Sequence, residues 1–242
     1  MSGHSKWNNI KHKKEKTDKQ RAKIFTKIGR EITQAVKESG PDPASNSKLR
    51  DLIAKAKENN VPSDNIDRVI KKAAGDGNTE NYENITYEGY GPNGIAVIVE
   101  CLTDNRNRTA GNLRHYFDKN GGNLGQSGSV NWMFSQKGVI VIDKNEYDEN
   151  ELMENCMDAP IDDFVTEEEI YEIFTAPDED YQTTKEFLRD KGYTFISAEE
   201  ALVPGTYISI NNDELKDKML RLLDMLEDDD DVQNVYHNWD EA

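Results

Sequence analysis

The chain has 242 residues, of which 32% are charged and 35% are hydrophobic. An average globular protein has about 25% charged residues, so several small domains with much polar surface are favoured over one large core. The longest apolar run, residues 95–99, is far shorter than the roughly 20 residues of a transmembrane helix, and we expect no membrane contact. Two distant cysteines without a CxxC pattern argue against a disulfide scaffold. The N-terminus lacks a secretory signal, so a cytoplasmic protein is expected.

Charge is distributed very unevenly along the chain, whose net charge is −17. Residues 1–75 contain 18 Lys and Arg against 9 Asp and Glu, whereas residues 76–242 contain 12 against 38. A basic segment on an acidic body is typical of a protein that binds a polyanion through one region only. The alternative is a solvated basic tail that has no partner.

Three helices are predicted in the basic segment, at about Asp18–Ser39, at about Asn46–Asn59 and from Ser63, as N-cap, to Gly75. Apolar residues recur at helical spacing in each of them. On the first helix the opposite face carries a row of cations: Lys16, Lys19, Lys23, Lys27, Arg30 and Lys37. The pattern therefore predicts a small helical bundle with one cationic face.

The pattern changes to that of mixed strands and helices after a linker at residues 75–78. The predicted elements up to residue 136 are strands Ile85–Glu88, Ile95–Leu102 and Val130–Phe134 with a helix at about Thr109–Lys119. Those at 137–203 are strands Gly138–Asp143, Asp163–Thr166, Glu169–Thr175 and Thr194–Ala198, with helices at about Glu149–Met157 and Tyr181–Lys191. Those at the end are strands Tyr207–Ile210 and Val232–His237 with a helix at about Asp213–Leu226.

The order of the elements in residues 137–203 is β-α-β-β-α-β, which is that of a ferredoxin-like domain. The block before it lacks a closing strand-helix-strand, and the end of the chain supplies one. We therefore expect an α+β protein of three domains: a helical domain at 1–79, a ferredoxin-like domain at 80–136 plus 204–242, and a second ferredoxin-like domain at 137–203 inserted into it.

Motifs of catalysis and cofactor binding are weak in this sequence. The glycines at 89, 91 and 94 match a dinucleotide fingerprint, but they lie between two strands and surround Pro92, which favours a turn. No histidine has a second His or Cys at metal-ligand spacing. The acidic run Glu227–Asp231 has no EF-hand spacing, so a solvated helix end is favoured over a cation site. We expect no enzyme activity, no catalytic residue, no metal, no cofactor and no small-molecule substrate.

The first candidate binding segment is the basic arm together with the first helix. Cations neutralise phosphates, and Trp and His side chains stack on unpaired bases. Trp7 is equally compatible with a packing anchor. The candidate residues are Lys6, Trp7, Lys11, His12, Lys13, Lys14, Lys16, Lys19, Lys23, Lys27 and Arg30.

The second candidate binding segment lies at a strand-to-helix junction, where free backbone N–H groups favour anions. Its residues are Asn105, Arg106, Asn107, Arg108 and Thr109. Arg side chains suit bidentate phosphate contacts. The alternative is a network of Arg and Asp that caps the helix. The glycine-rich loop 121–128 is expected to allow a nucleic-acid backbone to approach closely.

Several segments resemble the YebC/PmpR family, whose mitochondrial member is the translational activator of cytochrome c oxidase. They are Gly3–Trp7, the run from Gly40–Pro43 to Asn65–Asp67, Tyr87–Pro92, Asn105–Ala110 and Lys119–Gly122. The resemblance is specific over residues 1–136 and weaker over about 144–203, and Gln20 and Gly111 depart from the family pattern.

The resemblance implies a cytoplasmic protein with a helical domain and two αβ domains that binds nucleic acid through the two segments above. It implies a regulator of gene expression, for which two functions are open. We favour a ribosome-associated translation factor that contacts ribosomal RNA or tRNA and relieves stalling. The reason is that the cationic face on the first helix suits contact with a nucleic-acid backbone more than recognition of bases. The alternative is a DNA-binding transcriptional regulator. We expect a monomer.

Overall fold

The computed structural model describes residues 18–75 and 81–240, with side chains from residue 23 onward, and it has the expected α+β class. These residues form two compact units. One contains residues 18–75, 81–130 and 211–235, and the other contains residues 131–210 and 236–240. The division into three domains at 79/80, 136/137 and 203/204 stays a prediction.

The helical region of the first unit consists of α1 (Asp18–Ser39), α2 (Ser47–Glu58) and α3 (Ser63–Ala74). Its core contains apolar side chains from all three helices: Ile28, Ile32, Ala35, Val36, Leu49, Leu52, Ala56, Ile66 and Ala73. The buried side chain of Asn46 caps α2 by accepting from Leu49 N and donates to the carbonyl groups of Ala35 and Gly40. This one amide thus fixes the turn between α1 and α2.

The predicted helix boundaries are confirmed to within one residue, but Ser63 is not the N-cap of α3. Pro62 occupies that position with an extended backbone conformation, and Ser63 is the first helical residue. The Pro62 ring fixes φ, so the chain turns into the helix one residue earlier than a Ser cap would allow.

The αβ part of the first unit has a sheet of four strands in the order β3-β1-β2-β9. These strands are β1 (Glu83–Tyr90), β2 (Ala96–Thr103), β3 (Asn123–Leu124) and β9 (Val232–His237). Two helices, α4 (Arg106–Lys119) and α7 (Asp213–Asp228), pack against each other. A tight turn at Pro92–Gly94 joins β1 to β2, as expected, although it is shorter than predicted because Gly89 belongs to β1 and pairs with Val97 of β2.

The second unit contains the β-α-β-β-α-β arrangement that the sequence predicts. Its elements are β4 (Phe134–Asp143), α5 (Glu149–Cys156), β5 (Asp163–Thr166), β6 (Ile170–Thr175), α6 (Glu179–Asp190) and β7 (Ser197–Pro204). The sheet order is β5-β6-β4-β7, and every neighbouring pair is antiparallel. Residues alternate between two apolar clusters along β4, where Ile140 and Ile142 face one cluster and Val139 and Val141 face the other.

Two predicted strands of this region are wrong. The predicted strand Val130–Phe134 is a 3-10 turn at Asn131–Met133 that leads into β4. The strand predicted at Thr194–Ala198 is β7, and it runs from Ser197 to Pro204. Polar residues obscure the limits of β4 and β7: residues 135–137 of β4 pair with residues 201–203, and Glu199 and Glu200 of β7 pair with Val139 and Gly138. Long-range pairing therefore continues both strands through polar residues.

The predicted strand Tyr207–Ile210 is shorter than expected and belongs to neither four-stranded sheet. It is β8 (Ile208–Ser209), which pairs in parallel with β10 (Trp239–Asp240). A two-residue strand has almost no pattern of its own, so β10 was not predicted at all.

Candidate nucleic-acid interface

The cationic face of α1, defined by Lys23, Lys27 and Arg30, lies against the acidic run Glu227–Asp231. Lys23 Nζ is 2.6 Å from Asp228 Oδ1 and donates to the Asp228 carbonyl at 2.9 Å. Lys27 Nζ donates to the Glu227 carbonyl at 2.7 Å. The contacting residues are 200 to 205 positions apart in the sequence, so the contact is formed entirely by the tertiary fold.

The third cation of this face reaches deeper than the other two. Arg30 Nη1 donates to the Asp230 carbonyl at 2.8 Å and to Asp231 Oδ1 at 2.6 Å. The guanidinium of Arg30 also lies over the Tyr82 ring, 5.6 Å from its centroid. Arg30 is therefore fixed by an anion, a carbonyl group and an aromatic ring.

Most of the other cationic candidates at the N-terminus lie outside the described part of the chain. Lys6, Trp7, Lys11, His12, Lys13, Lys14 and Lys16 lie outside the described residues. The backbone of Lys19 is part of α1, and its side chain is outside the described part. Lys37, near the end of the same helix, donates to Asn81 at 3.4 Å. The function of these residues stays a prediction.

The second candidate segment forms the first turn of α4, which begins three residues earlier than predicted. Asn105 is the N-cap, and its side chain accepts from Arg108 N at 3.1 Å. A capping Asn satisfies a backbone N–H that has no helical partner. Arg106 and Asn107 are exposed. Within the described parts of the chain, the Arg106 side chain forms no hydrogen bond or ion pair, and neither does that of Asn107.

Thr109 is buried and Arg108 is partly exposed, and both contact Asp231. Arg108 Nη2 lies 2.9 Å from Asp231 Oδ1, 2.8 Å from Asp231 Oδ2 and 2.8 Å from Asp104 Oδ1. The hydroxyl groups of Thr109 and Thr103 donate to Asp231 Oδ2 at 2.8 and 3.2 Å. The alternative of a capping Arg–Asp network is therefore what the structure shows for Arg108, whereas Arg106 stays available at the surface.

Arg30, Thr103, Arg108, Thr109 and Asp231 together form what we call the Asp231 cluster. The Asp231 side chain is only 3% exposed. Burial raises the pKa of its carboxyl, but the hydrogen bonds from Arg108, Thr109 and Arg30 outweigh burial and hold the pKa below its usual value. The hydrogen bonds that Arg108 donates to Asp231 and Asp104 raise the pKa of Arg108. Asp231 and Arg108 thus keep their charges at neutral pH.

The interpretation of the acidic run as a solvated helix end is wrong for its last residue. Asp231 is buried, and its carbonyl accepts from Leu102 N of β2 at 2.8 Å. Asp229 accepts from Tyr116 Oη and Asn112 Nδ2 of α4 at 3.0 and 3.2 Å. Glu227, Asp228 and Asp230 are exposed, as expected. No local signal distinguishes the buried Asp231 from its neighbours, so the sequence could not reveal its role.

The glycine-rich loop is occupied by the protein's own chain. Gly128 N and Val130 N donate to the two carboxylate oxygens of Glu88 at 2.6 and 2.8 Å. A Cβ on Gly125 would lie 2.7 Å from Ser129 Oγ, and one on Gly122 would collide with the carbonyl of Tyr90. Close internal packing therefore explains these two glycines without a bound ligand.

Metal and membrane sites are not apparent in the described structure. Residues 18–75 and 81–240 contain no cluster of three His, Cys, Asp or Glu side chains arranged to hold a metal ion. None of the helices in those ranges has the length and apolar character needed to cross a bilayer.

Family models and related proteins match this chain over nearly its whole length. A family model described as TACO1/YebC protein N-terminal domain matches residues 5–76, and one described as TACO1/YebC second and third domain matches residues 82–239. A probable transcriptional regulatory protein of Caldicellulosiruptor bescii is 59% identical over 242 residues, covering 100% of this chain and 99% of that protein. A protein of the same name from Finegoldia magna is 56% identical over 240 residues, covering 99% of each.

A solved structure shares the fold. The crystal structure of a conserved hypothetical protein from Aquifex aeolicus matches with a TM-score of 0.82 at 43% identity, covering 93% of this chain and 92% of that one. The resemblance seen in the sequence is thereby confirmed by family models over both parts of the chain and by relatives over its full length. This chain belongs to the TACO1/YebC family.

Proposed function

We propose that this protein is a non-enzymatic, nucleic-acid-binding regulator of gene expression that acts as a monomer on ribosomal RNA or tRNA and relieves stalled translation. The observation that carries the proposal is the Asp231 cluster. It brings α1 and the first turn of α4 together, although the two candidate segments are far apart in the sequence. The cationic face of α1 and the exposed Arg106 then belong to one structural assembly.

The placement of the cations supports contact with a nucleic-acid backbone. Lys23 and Lys27 extend from one helix at (i, i+4) spacing, where they can follow successive phosphates. Arg106 and Asn107 are exposed on the first turn of α4, where unpaired backbone N–H groups also favour anions. Contacts of this kind position a protein on RNA without reading its bases.

The strongly acidic remainder of the chain favours binding at a confined site that is rich in RNA. A net negative charge outside residues 1–75 repels bulk nucleic acid and restricts binding to one orientation. A cytoplasmic location agrees with this target.

The second candidate function, a DNA-binding transcriptional regulator, is favoured by the names of the relatives. In a helix-turn-helix protein the N-terminal residues of a recognition helix contact base edges in the major groove. The corresponding helix here would be α3, whose first turns carry the exposed Asp64 and Asp67. Carboxylates at that end would be repelled by phosphates, so the geometry favours RNA.

The test is sedimentation of tagged protein with ribosomes from lysate, at low and high salt and with and without nuclease. We expect co-migration with the large subunit or the whole ribosome that disappears as salt rises. Lys23→Glu with Lys27→Glu should abolish it. The matched variant Arg68→Glu with Lys71→Glu makes the same charge change on exposed positions of α3 and should keep it.

The opposite pattern would contradict the proposal. If the wild-type protein is absent from ribosomes and recovers promoter fragments instead, the DNA-binding function is correct. Loss of that DNA binding in the α3 variant, with the α1 variant unaffected, would identify α3 as a recognition helix.

A further inference from the structure

The acidic run occupies the side chains that the proposed function assigns to nucleic acid. Lys23 meets both the carboxylate and the carbonyl of Asp228, and Lys27 meets the carbonyl of Glu227. Carboxylates and carbonyl oxygens are the acceptors that phosphate oxygens would replace. The run therefore presents to α1 the same kind of ligand as a nucleic-acid backbone.

The last turn of α7 is intrinsically weak, which makes this contact reversible. Glu227 and Asp228 end the helix, and its last turn contains no basic residue. Negative charges at a helix C-terminus oppose the helix dipole, so the turn depends on cations from elsewhere. Lys23 and Lys27 of α1 supply them. Removal of these cations by a competing polyanion would leave the turn without its stabilising partners.

The two ends of the acidic run are anchored very differently. Glu227, Asp228 and Asp230 are exposed, and the Asp228 side chain is 60% accessible. Asp231 is buried in the Asp231 cluster, and Leu226 lies on the buried face of α7. Between these two points Asp229 is held by Tyr116 and Asn112 of α4, so displacement from α1 concerns Glu227, Asp228 and Asp230, while the sheet and the cluster stay intact.

We propose that Glu227, Asp228 and Asp230 act as a built-in competitor that covers the cationic face of α1 and is displaced when a nucleic-acid backbone binds. The inference rests on the proposed function, because it assumes that α1 contacts phosphates. Weak or sparse polyanions do not replace the acidic run, whereas a dense array of phosphates does. The acidic run thus sets a threshold for binding.

The test compares two variants that remove the same charge. Glu227→Gln with Asp228→Asn and Asp230→Asn removes three negative charges beside α1, including the Asp228 carboxylate that pairs with Lys23, and leaves the backbone carbonyl contacts, Asp229 and Asp231 in place. Asp213→Asn with Glu214→Gln and Asp217→Asn removes three charges from the other end of α7, which lies roughly 20 Å away at 1.5 Å per residue. Affinity for a fluorescent oligouridylate is measured by anisotropy at several salt concentrations.

We expect the variant of Glu227, Asp228 and Asp230 to bind at least about fivefold more tightly than wild type at physiological salt, and the control to change by less than about twofold because of screening. Equal gains in the two variants would overturn the inference while the proposed function stands. Absence of binding by wild type and both variants would overturn the proposed function and the inference with it.

A second measurement follows the acidic run itself. Lys23→Cys with Asp228→Cys provides two thiols for a short bismaleimide, and burial raises the pKa of the native Cys101 and Cys156 to about 12 and about 11, so these do not compete. The cross-linked protein should bind oligouridylate several-fold more weakly than the same variant capped with N-ethylmaleimide. Equal affinity of the two forms would contradict displacement.

Discussion

Arg30 of α1 and Arg108 of α4 donate to the same buried carboxylate, that of Asp231, at 2.6 and 2.8 Å. Two guanidinium groups on one anion tie the helical region to the αβ sheet within the first unit. A change at either arginine therefore affects the position of the other. Arg30 and Arg108 therefore have a structural role in the first unit, in contrast to the exposed Arg106.

Arg106 and Arg108 should respond oppositely to replacement by Ala, although they lie two residues apart. Arg108→Ala removes a charged donor from Asp231 and should lower the free energy of unfolding by about 1–2 kcal/mol, since its side chain is 43% exposed and partly screened. Arg106→Ala should change stability by less than about 0.5 kcal/mol and weaken RNA binding with a smaller salt dependence. Urea unfolding and anisotropy measure the two effects.

The pair of variants also discriminates between interpretations. A stable Arg108→Ala protein would show that the Asp231 cluster does not depend on this arginine. Unchanged RNA affinity in Arg106→Ala would remove the α4 turn from the interface.

Asp231→Asn should destabilise the protein in a pH-dependent way. The pKa of Asp231 lies below its unfolded value near 4, so the carboxylate contributes stability above about pH 4 and loses it as the pH falls through the folded-state pKa. We expect a loss of about 2–3 kcal/mol at pH 7, where two arginines lose their anion. The difference between wild type and variant in urea unfolding should shrink as the pH falls below 4. A constant difference would contradict the assigned charge.

His237 should make the protein less stable in mild acid. It is buried, its Nδ1 accepts from Trp239 N at 3.3 Å, and burial lowers its pKa to about 4. The unfolded chain takes up this proton near pH 6.5 and the folded chain does not, so stability falls as the pH drops from about 6.5 to 4. The full effect is on the order of 3 kcal/mol.

The matched variant for this effect is His237→Asn, whose Oδ1 can accept the same hydrogen bond without titrating. Its stability should be lower at pH 7 because of the smaller side chain, but the slope between pH 7 and 5 should be flatter. An identical slope in the two proteins, measured by urea unfolding, would exclude His237 as the source.

Two glycines should respond to alanine with opposite signs. Gly111 is exposed within α4 and a Cβ there meets nothing within 4 Å, so Gly111→Ala should stabilise the protein by about 0.5–1 kcal/mol. A Cβ on Gly138 of β4 would lie 2.6 Å from Tyr181 Cβ on α6, so Gly138→Ala should cost about 1–3 kcal/mol. Thermal unfolding of both variants tests the packing of α6 on β4, and a neutral Gly138→Ala would contradict it.

The helices could be predicted from sequence far better than the interface. Apolar residues at helical spacing determine α1 to α3 locally, so their limits follow from the pattern. Partners over 100 residues apart determine the role of Asp231, and a run of similar acidic residues hides it. The same reason explains β4 and β7, whose polar residues 135–137 and 199–200 become strand only through pairing of the two strands with each other. Charge alone identifies the candidate cations, whereas only the folded structure shows which residues of the chain contact them.

The position of residues 211–235 has a consequence for synthesis. These residues complete the first sheet through β9 and deliver the acidic run to α1, yet they are made after all of residues 131–210. Until then β2 is an open edge strand, and the acceptors that Glu227 and Asp228 offer to Lys27 and Lys23 have not been made. A nascent or truncated chain would therefore bind polyanions non-specifically and aggregate more readily than the complete protein.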